Sequence, residues 1–322
     1  MFYSTVVGNY PRPSWLREEL LKLEGKQKKT GSTAKEVEDL YAKATVEIIA
    51  EFESCSLDLI TDGQLKWTDA LASFCESLTG FKMTGLIRYY DNNFYYRQPE
   101  TTGNISWKKS VFEQDFKHAR KNARKDVKCV LPGPYTLARL CKNTFYKNTA
   151  DLMMDLASAI SSEAKALEKA SCKFIQFDEP SLVYDRKLEC NLSEISSALK
   201  KVESSVNAKT SLQTYFGGFK DSLAELLDLK FDVIGFDLIE GKDNVNYIKE
   251  HSFKKDVALG ILDSRNIRLE NPADVNKKIK AVADATNSKK VYINPNWGLE
   301  LIPREYALKK LKFMSKTVDE LK

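Results

Sequence analysis

The stretch that decides the fold is KFIQFDEP, Lys173 to Pro180. It is nearly continuous in apolar residues, as a strand covered on both faces requires. It stops on two adjacent carboxylates, Asp178 and Glu179, followed by Pro180. A buried strand that ends in charge delivers that charge to the rim of a sheet.

Seven further runs share this character: FYSTVVG (2–8), LDLITDG (57–63), VKCVLPGP (127–134), TSLQTYFGG (210–218), FDVIGFDLI (231–239), VALGILD (257–263) and KVYINPN (290–296). Helical patterns fall between them, over 32–55, 149–171, 221–229, 243–251, 272–285 and 303–320. The helix over 32–55 has Ser32 or Thr33 as N-cap, with an acid three residues on. Eightfold strand–helix alternation predicts a closed parallel α/β barrel of the (β/α)8 type. The alternative is a doubly wound open sheet, but no Gly-rich phosphate loop follows the first strand. GLIRYYDNNFYYRQPETTGNISW (85–107) breaks the rhythm and reads as a β-hairpin inserted after the second unit. With no linker or low-complexity tract, residues 1–322 read as one domain.

Composition narrows the function classes. The chain has 322 residues, 43% of them hydrophobic, and a net charge of only +5, which calls for no nucleic-acid partner. The most basic run, Lys117 to Lys128, reads as a solvated helix face, with an anion-binding patch as the alternative. No apolar run is long enough to span a membrane, and the N-terminus lacks the regions of a signal peptide. Six cysteines without a CxxC or CxH pairing read as reduced thiols, which places the protein in the cytoplasm.

Barrels carry their reactive groups at the C-terminal ends of the strands. Those ends hold Asn9, Asp62, Gln64, Asp178, Glu179, Gln213, Tyr215, Asp237, Asp263, Arg265, Asn266 and Trp297. Asp178 and Glu179 can accept a ligand ammonium or tune a neighbouring pKa; the competing reading has one of them cap the next turn or pair with an internal arginine. Asp62 and Asp237 carry the same ambiguity. Asp263, Arg265 and Asn266 could hold a carboxylate or form an internal ion pair. The two histidines, His118 and His251, end no strand. A Ser/His/Asp nucleophile system therefore has no base, and a zinc site of several His and Cys ligands has no source at the barrel mouth.

Six ordered motifs carry a resemblance that spans nearly the whole chain: VVGNYPRPSWL (6–16), LDLITDGQ (57–64), YYRQPETTGNISW (95–107), LPGPYTLARL (131–140), IQFDEPSL (175–182) and NPNWGL (294–299). Together they resemble the cobalamin-independent methionine synthase family, within the methionine synthase and uroporphyrinogen decarboxylase-like barrels. The resemblance implies methyl transfer from a donor such as a methylated folate to the thiol of homocysteine, which a zinc ion holds as thiolate. It also implies that Asp178 matches the acid that binds the homocysteine amino group.

The chain departs from the family pattern where zinc would be held. Gln213 stands at the position of a histidine, Tyr215 at that of one cysteine and Trp297 at that of another. Gln64 replaces an acid and Asn9 a serine near the homocysteine site. TYFGG (214–218), DLIEG (237–241) and LDSRNIR (262–268) are similar instead to the zinc-less N-terminal barrel of the two-barrel enzymes, although Glu240 and Ser264 differ from its pattern. The resemblance thus implies a free-standing barrel that binds no zinc itself and acts with a zinc-bearing partner barrel. The alternatives are a stand-alone homocysteine methyltransferase with altered chemistry, a decarboxylase-type reaction of the wider group, and a non-catalytic binding or regulatory protein.

Overall fold

The computed structural model describes the chain except for residues 31–32, 70, 91–92, 252–254 and 287, with backbone alone at 26, 28–30 and 221–222. In chain order the strands are β1 (Phe2–Ser4), β2 (Leu59–Ile60), β3 (Thr79–Arg88), β4 (Tyr95–Ser106), β5 (Asp126–Val127), β6 (Cys129–Pro132), β7 (Phe174–Asp178), β8 (Lys209–Gln213), β9 (Val233–Asp237), β10 (Asp256–Leu262) and β11 (Val291–Pro295). A parallel sheet runs β1-β11-β10-β9-β8-β7-β6. Its two ends meet through a thin seam. Thr5 bridges Leu59, β2 pairs with β5, and the Lys128 amide donates to the Ile60 carbonyl at 2.8 Å. Strand β5 runs into β6 through Lys128, so eight strand segments, one from each apolar run, close a (β/α)8 barrel.

The strands are central because their side chains are buried on both faces: all five residues of β9 and of β11 are buried. Helices α1 (Ser14–Thr30), α2 (Ala34–Ser54), α3 (Ala72–Cys75), α4 (Glu113–Asn122), α5 (Pro134–Leu140), α6 (Thr149–Lys169), α7 (Ser181–Tyr184), α8 (Leu192–Glu203), α9 (Asn244–His251), α10 (Pro272–Ala285) and α11 (Arg304–Asp319) connect and cover them. Most of the long outer helices bury a stripe, such as Ala44, Ile48, Ile49 and Phe52 on α2.

Four expectations need correction. The hairpin β3–β4 starts at Thr79, earlier than its aromatic alternation suggested, because Thr79 pairs with Ser106; part of its DNN turn lies outside the described residues. The segment over 221–229 is a 3-10 helix (Asp221–Asp228). Helix α2 is flanked by Thr33, which makes no side-chain capping bond; Ser32 lies outside the described residues. Finally, the basic run is a solvated helix face only in part: Lys117, Arg120, Lys121 and Arg124 are exposed, whereas Lys128 is 4% exposed, inside the barrel, where the strand carries it inward.

Candidate functional site

Strand ends and the hairpin converge on one small cavity, with about 30 Å³ of room for water. The loop after β1 gives Asn9, that after β2 gives Gln64 and Trp67, β7 gives Asp178, the loop after β8 gives Tyr215, the loop after β11 gives Trp297, and the hairpin gives Tyr89. Backbone strain gathers here. Gln64, Tyr90 and Phe216 adopt φ of 50°, 51° and 71°, a left-handed conformation that costs a non-glycine residue and persists where surrounding structure enforces it.

Asp178 sits at the centre of a hydrogen-bonded chain. Its Oδ1 accepts from Gln176 Nε2 at 2.7 Å and its Oδ2 from the Tyr215 hydroxyl at 3.2 Å. Gln176 also donates to the Val7 carbonyl at 2.9 Å and accepts from Lys128 Nζ at 2.6 Å. Burial pushes the Asp178 carboxyl up to about 7, against the opposing pull of Gln176, the Lys128 charge and Tyr215. Burial pushes the Lys128 ammonium down to about 7, opposed by Asp178. Both groups therefore titrate near neutrality, and neither composition nor strand pattern singled out Lys128.

Aromatic rings wall this carboxylate. Trp297 lies 6.1 Å from Tyr89, 6.2 Å from Tyr215, 4.9 Å from Phe216 and 5.9 Å from Phe94 between ring centroids. A neighbouring recess, lined by Arg12, Asn9, Gln64, Trp67 and Glu300, opens beside the cavity. Glu300 accepts from Asn9 Nδ2 at 3.1 Å through Oε1, while its Oε2 has no hydrogen-bond partner. Burial pushes its carboxyl up to about 7. Gln64 Nε2 is buried and equally unpartnered. Glu300 lies two residues beyond Gly298, past the end of the strand on which sequence reasoning stopped.

Several predicted residues do other work. Both oxygens of Glu179 are occupied by the first amides of α5, from Tyr135 N at 2.8 Å and Thr136 N at 2.7 Å. A Cβ on Gly133 would lie 2.2 Å from that carboxyl carbon, so glycine is required where the two meet. Asp237 is buried under amides of Phe216, Ile239 and Glu240 and the Asn296 side chain. Glu179 and Asp237 cap turns, as the competing reading of strand-end acids allowed. Asp263 accepts from Arg265 N and Asn266 Nδ2, and Arg265 pairs with Glu240. That trio forms its own polar cluster and does not line the cavity. Asp62 accepts from the Gln64 amide at 3.0 Å and lines a smaller recess with Lys128; burial and the neighbouring Asp115 push it up to about 6.

The three positions that the resemblance sets against metal ligands hold side chains with partners of their own. Gln213 is buried, donates to the Thr214 carbonyl at 3.3 Å and lies against Gly235, whose absent Cβ leaves it room. Tyr215 is committed to Asp178, and Trp297 to the aromatic cluster. Among the described residues, no group of three or more His, Cys, Asp or Glu side chains is placed to share a metal ion. An amide, a phenol and an indole do not fit zinc, which takes thiolate, imidazole or carboxylate ligands.

Residues 2–320 match the catalytic domain of the cobalamin-independent synthases. The chain belongs to the cobalamin-independent methionine synthase family. Among its relatives, the methionine synthase of Sulfurisphaera tokodaii is 31% identical over 319 residues, covering 97% of this chain and 90% of the relative. That of Saccharolobus solfataricus is 31% identical over 316 residues, covering 97% and 92%. The fold agrees with a B12-independent methionine synthase from a Shewanella species, solved with selenomethionine, at a TM-score of 0.83 and 20% identity over 99% of this chain and 97% of the other. A second such structure, from Listeria monocytogenes, gives 0.79 at 18% identity over 100% and 98%. Among the described residues, no helix of this family member is long and apolar enough to cross a membrane.

Proposed function

We propose that this chain is the non-zinc barrel of a methyl-transfer system that makes methionine from homocysteine, acting in the cytoplasm with a separate zinc-bearing barrel. Family membership supplies the reaction class. The observation that carries the finer reading is the identity of three side chains, Gln213, Tyr215 and Trp297, each built into hydrogen bonds or ring contacts of its own. In this reading the cavity around Asp178, Gln64 and Asn9 takes homocysteine or the methyl donor, while the partner supplies the metal that activates the thiol. Mixing the purified chain with a zinc-bearing barrel of the family should give a complex in gel filtration and calorimetry. It should also raise methionine formation above that of the partner alone. Two components that neither associate nor affect each other's turnover would refute the proposal.

One observation favours a second reading, a stand-alone methyltransferase of altered chemistry. Asp178, matched to the amino-group ligand of homocysteine, is retained and lines the cavity. Methionine formation by the isolated chain, assayed with homocysteine and a panel of methyl donors, separates this reading from the first.

A further inference from the structure

All six cysteines are free, and the fold gathers four of them into two pairs that the sequence keeps far apart. Cys129, at the start of β6, meets Cys172, just before β7. Those strands already share a parallel ladder, so a bond between the two sulfurs fastens nothing new. The second pair is different. Cys75 is the last residue of α3, which leads into the hairpin, and Cys141 follows the last residue of α5 on the barrel wall. The Cys75 thiol donates a hydrogen bond to the Cys141 sulfur.

Backbone bonds fix the two positions independently of the sulfurs. On one side, Asp69 accepts from the Leu71 and Ala72 amides at 2.8 Å and 2.7 Å, where α3 starts, and from the Arg97 amide of β4 at 3.0 Å. On the other, the Leu140 carbonyl accepts from the Tyr96 hydroxyl at 3.0 Å, and the Lys142 amide donates to the Pro99 carbonyl at 2.8 Å. One short piece of β4, Tyr96 to Pro99, thus locates both cysteines. Sulfurs already in contact need little backbone movement to bond. Cys75 is fully buried and Cys141 is 8% exposed, so Cys141 is the one that meets a small diffusible oxidant. Burial and the contact with Cys141 hold the Cys75 thiol protonated, which leaves it as the second partner.

We propose that Cys75 and Cys141 form an oxidisable dithiol, which a hydroperoxide converts to a disulfide that pins the root of the hairpin to the end of α5. With hydrogen peroxide, the Cys141 sulfur takes one oxygen as sulfenic acid and the other leaves as water. The Cys75 sulfur then attacks that sulfur: the S–S bond forms, the S–O bond breaks, and the hydroxyl leaves as a second water with the thiol proton. The two sulfurs give up two electrons and the peroxide takes them. Because the hairpin brings Tyr89 and Phe94 to the mouth, the new bond stiffens one of its walls. Both sulfurs belong to this chain, so the inference stands or falls apart from any partner barrel.

The test treats the reduced, folded chain with hydrogen peroxide, alkylates the remaining thiols under denaturing conditions and maps the digest by mass spectrometry without reductant. A peptide pair joining Cys75 to Cys141, released by dithiothreitol, is the expected product. Cys190, which is more exposed, serves as the internal gauge of dose. Cys75 and Cys141 still open to alkylation when Cys190 is oxidised would overturn the inference. So would either of them bonded to another cysteine. In the oxidised chain, the amides of Tyr96, Arg97 and Gln98 should exchange with solvent more slowly by roughly tenfold or more, and Cys141→Ala should abolish that change. Exchange that is the same in the reduced and cross-linked chain would show that the bond pins nothing, and would overturn the latch.

Discussion

Asp178 shows how one buried group couples ionisation to stability. An acid whose folded-state pKa is raised costs the fold nothing below its unfolded value and progressively more as pH climbs toward the folded value. Asp178 moves from 3.8 to about 7. The parent should therefore lose stability relative to Asp178→Asn as pH rises between those two values, with a plateau above. Thermal melts across that range should show the variant's advantage growing to a few degrees; a difference that does not vary with pH contradicts the assignment. Sequence placed Asn9, Gln64, Asp178, Tyr215 and Trp297 at strand ends, and all five line the cavity. It could not separate them from Glu179 and Asp237, because an acid that accepts backbone amides and one that faces a ligand look alike along the chain. Glu300 and Lys128 were missed for the converse reason: one lies past a strand end, the other inside a run that reads as surface.

At the scale of elements, the exit from the inserted hairpin is held by a buried acid. Glu163 of α6 is fully buried and accepts from Trp107 Nε1 at 2.7 Å, Ser110 Oγ at 2.7 Å, and the amides of Val111 and Phe112 at 3.0 Å and 2.9 Å. It therefore ties the chain leaving β4 to the barrel wall. Glu163→Leu should strand these donors and cost about 3 kcal/mol or more, measured by urea denaturation. Glu163→Gln, which still accepts through its carbonyl oxygen, should cost less; equal losses would point to packing instead of hydrogen bonding. Strands were legible because burial on both faces writes an apolar run into each. Helices were less so. Helix α8 begins with a capping box, Asn191 with Glu194, a signal that the sequence does carry. Helix α1 has a weak apolar stripe and much exposed surface, so periodicity gave it little voice. The 3-10 geometry of Asp221–Asp228 left no mark that distinguishes it from an α-helix.

Across the whole molecule, barrel closure is uneven. Seven strands form a continuous ladder, while β2 contributes two residues and meets its neighbours through the Thr5–Leu59 bridge and the β5 pairing. Local opening starts where backbone bonds are few. Hydrogen exchange should therefore release the amides of Ile60, Val127 and Lys128 before those of Ile175–Phe177 and Ile234–Phe236; uniform protection around the ring would show the seam to be as firm as the rest. The eightfold plan was readable because it recurs, but the seam's weakness was not, since LDLITDG is as apolar as its peers. Trp297 carries a consequence for any attempt to place a smaller side chain at this mouth. Its indole touches Tyr89, Phe94, Tyr215 and Phe216, so exchanging it for cysteine hollows the cluster at a cost of about 3 kcal/mol or more. Trp297 is thus a keystone of the mouth: the four rings that lean on it hold their places only while it stands.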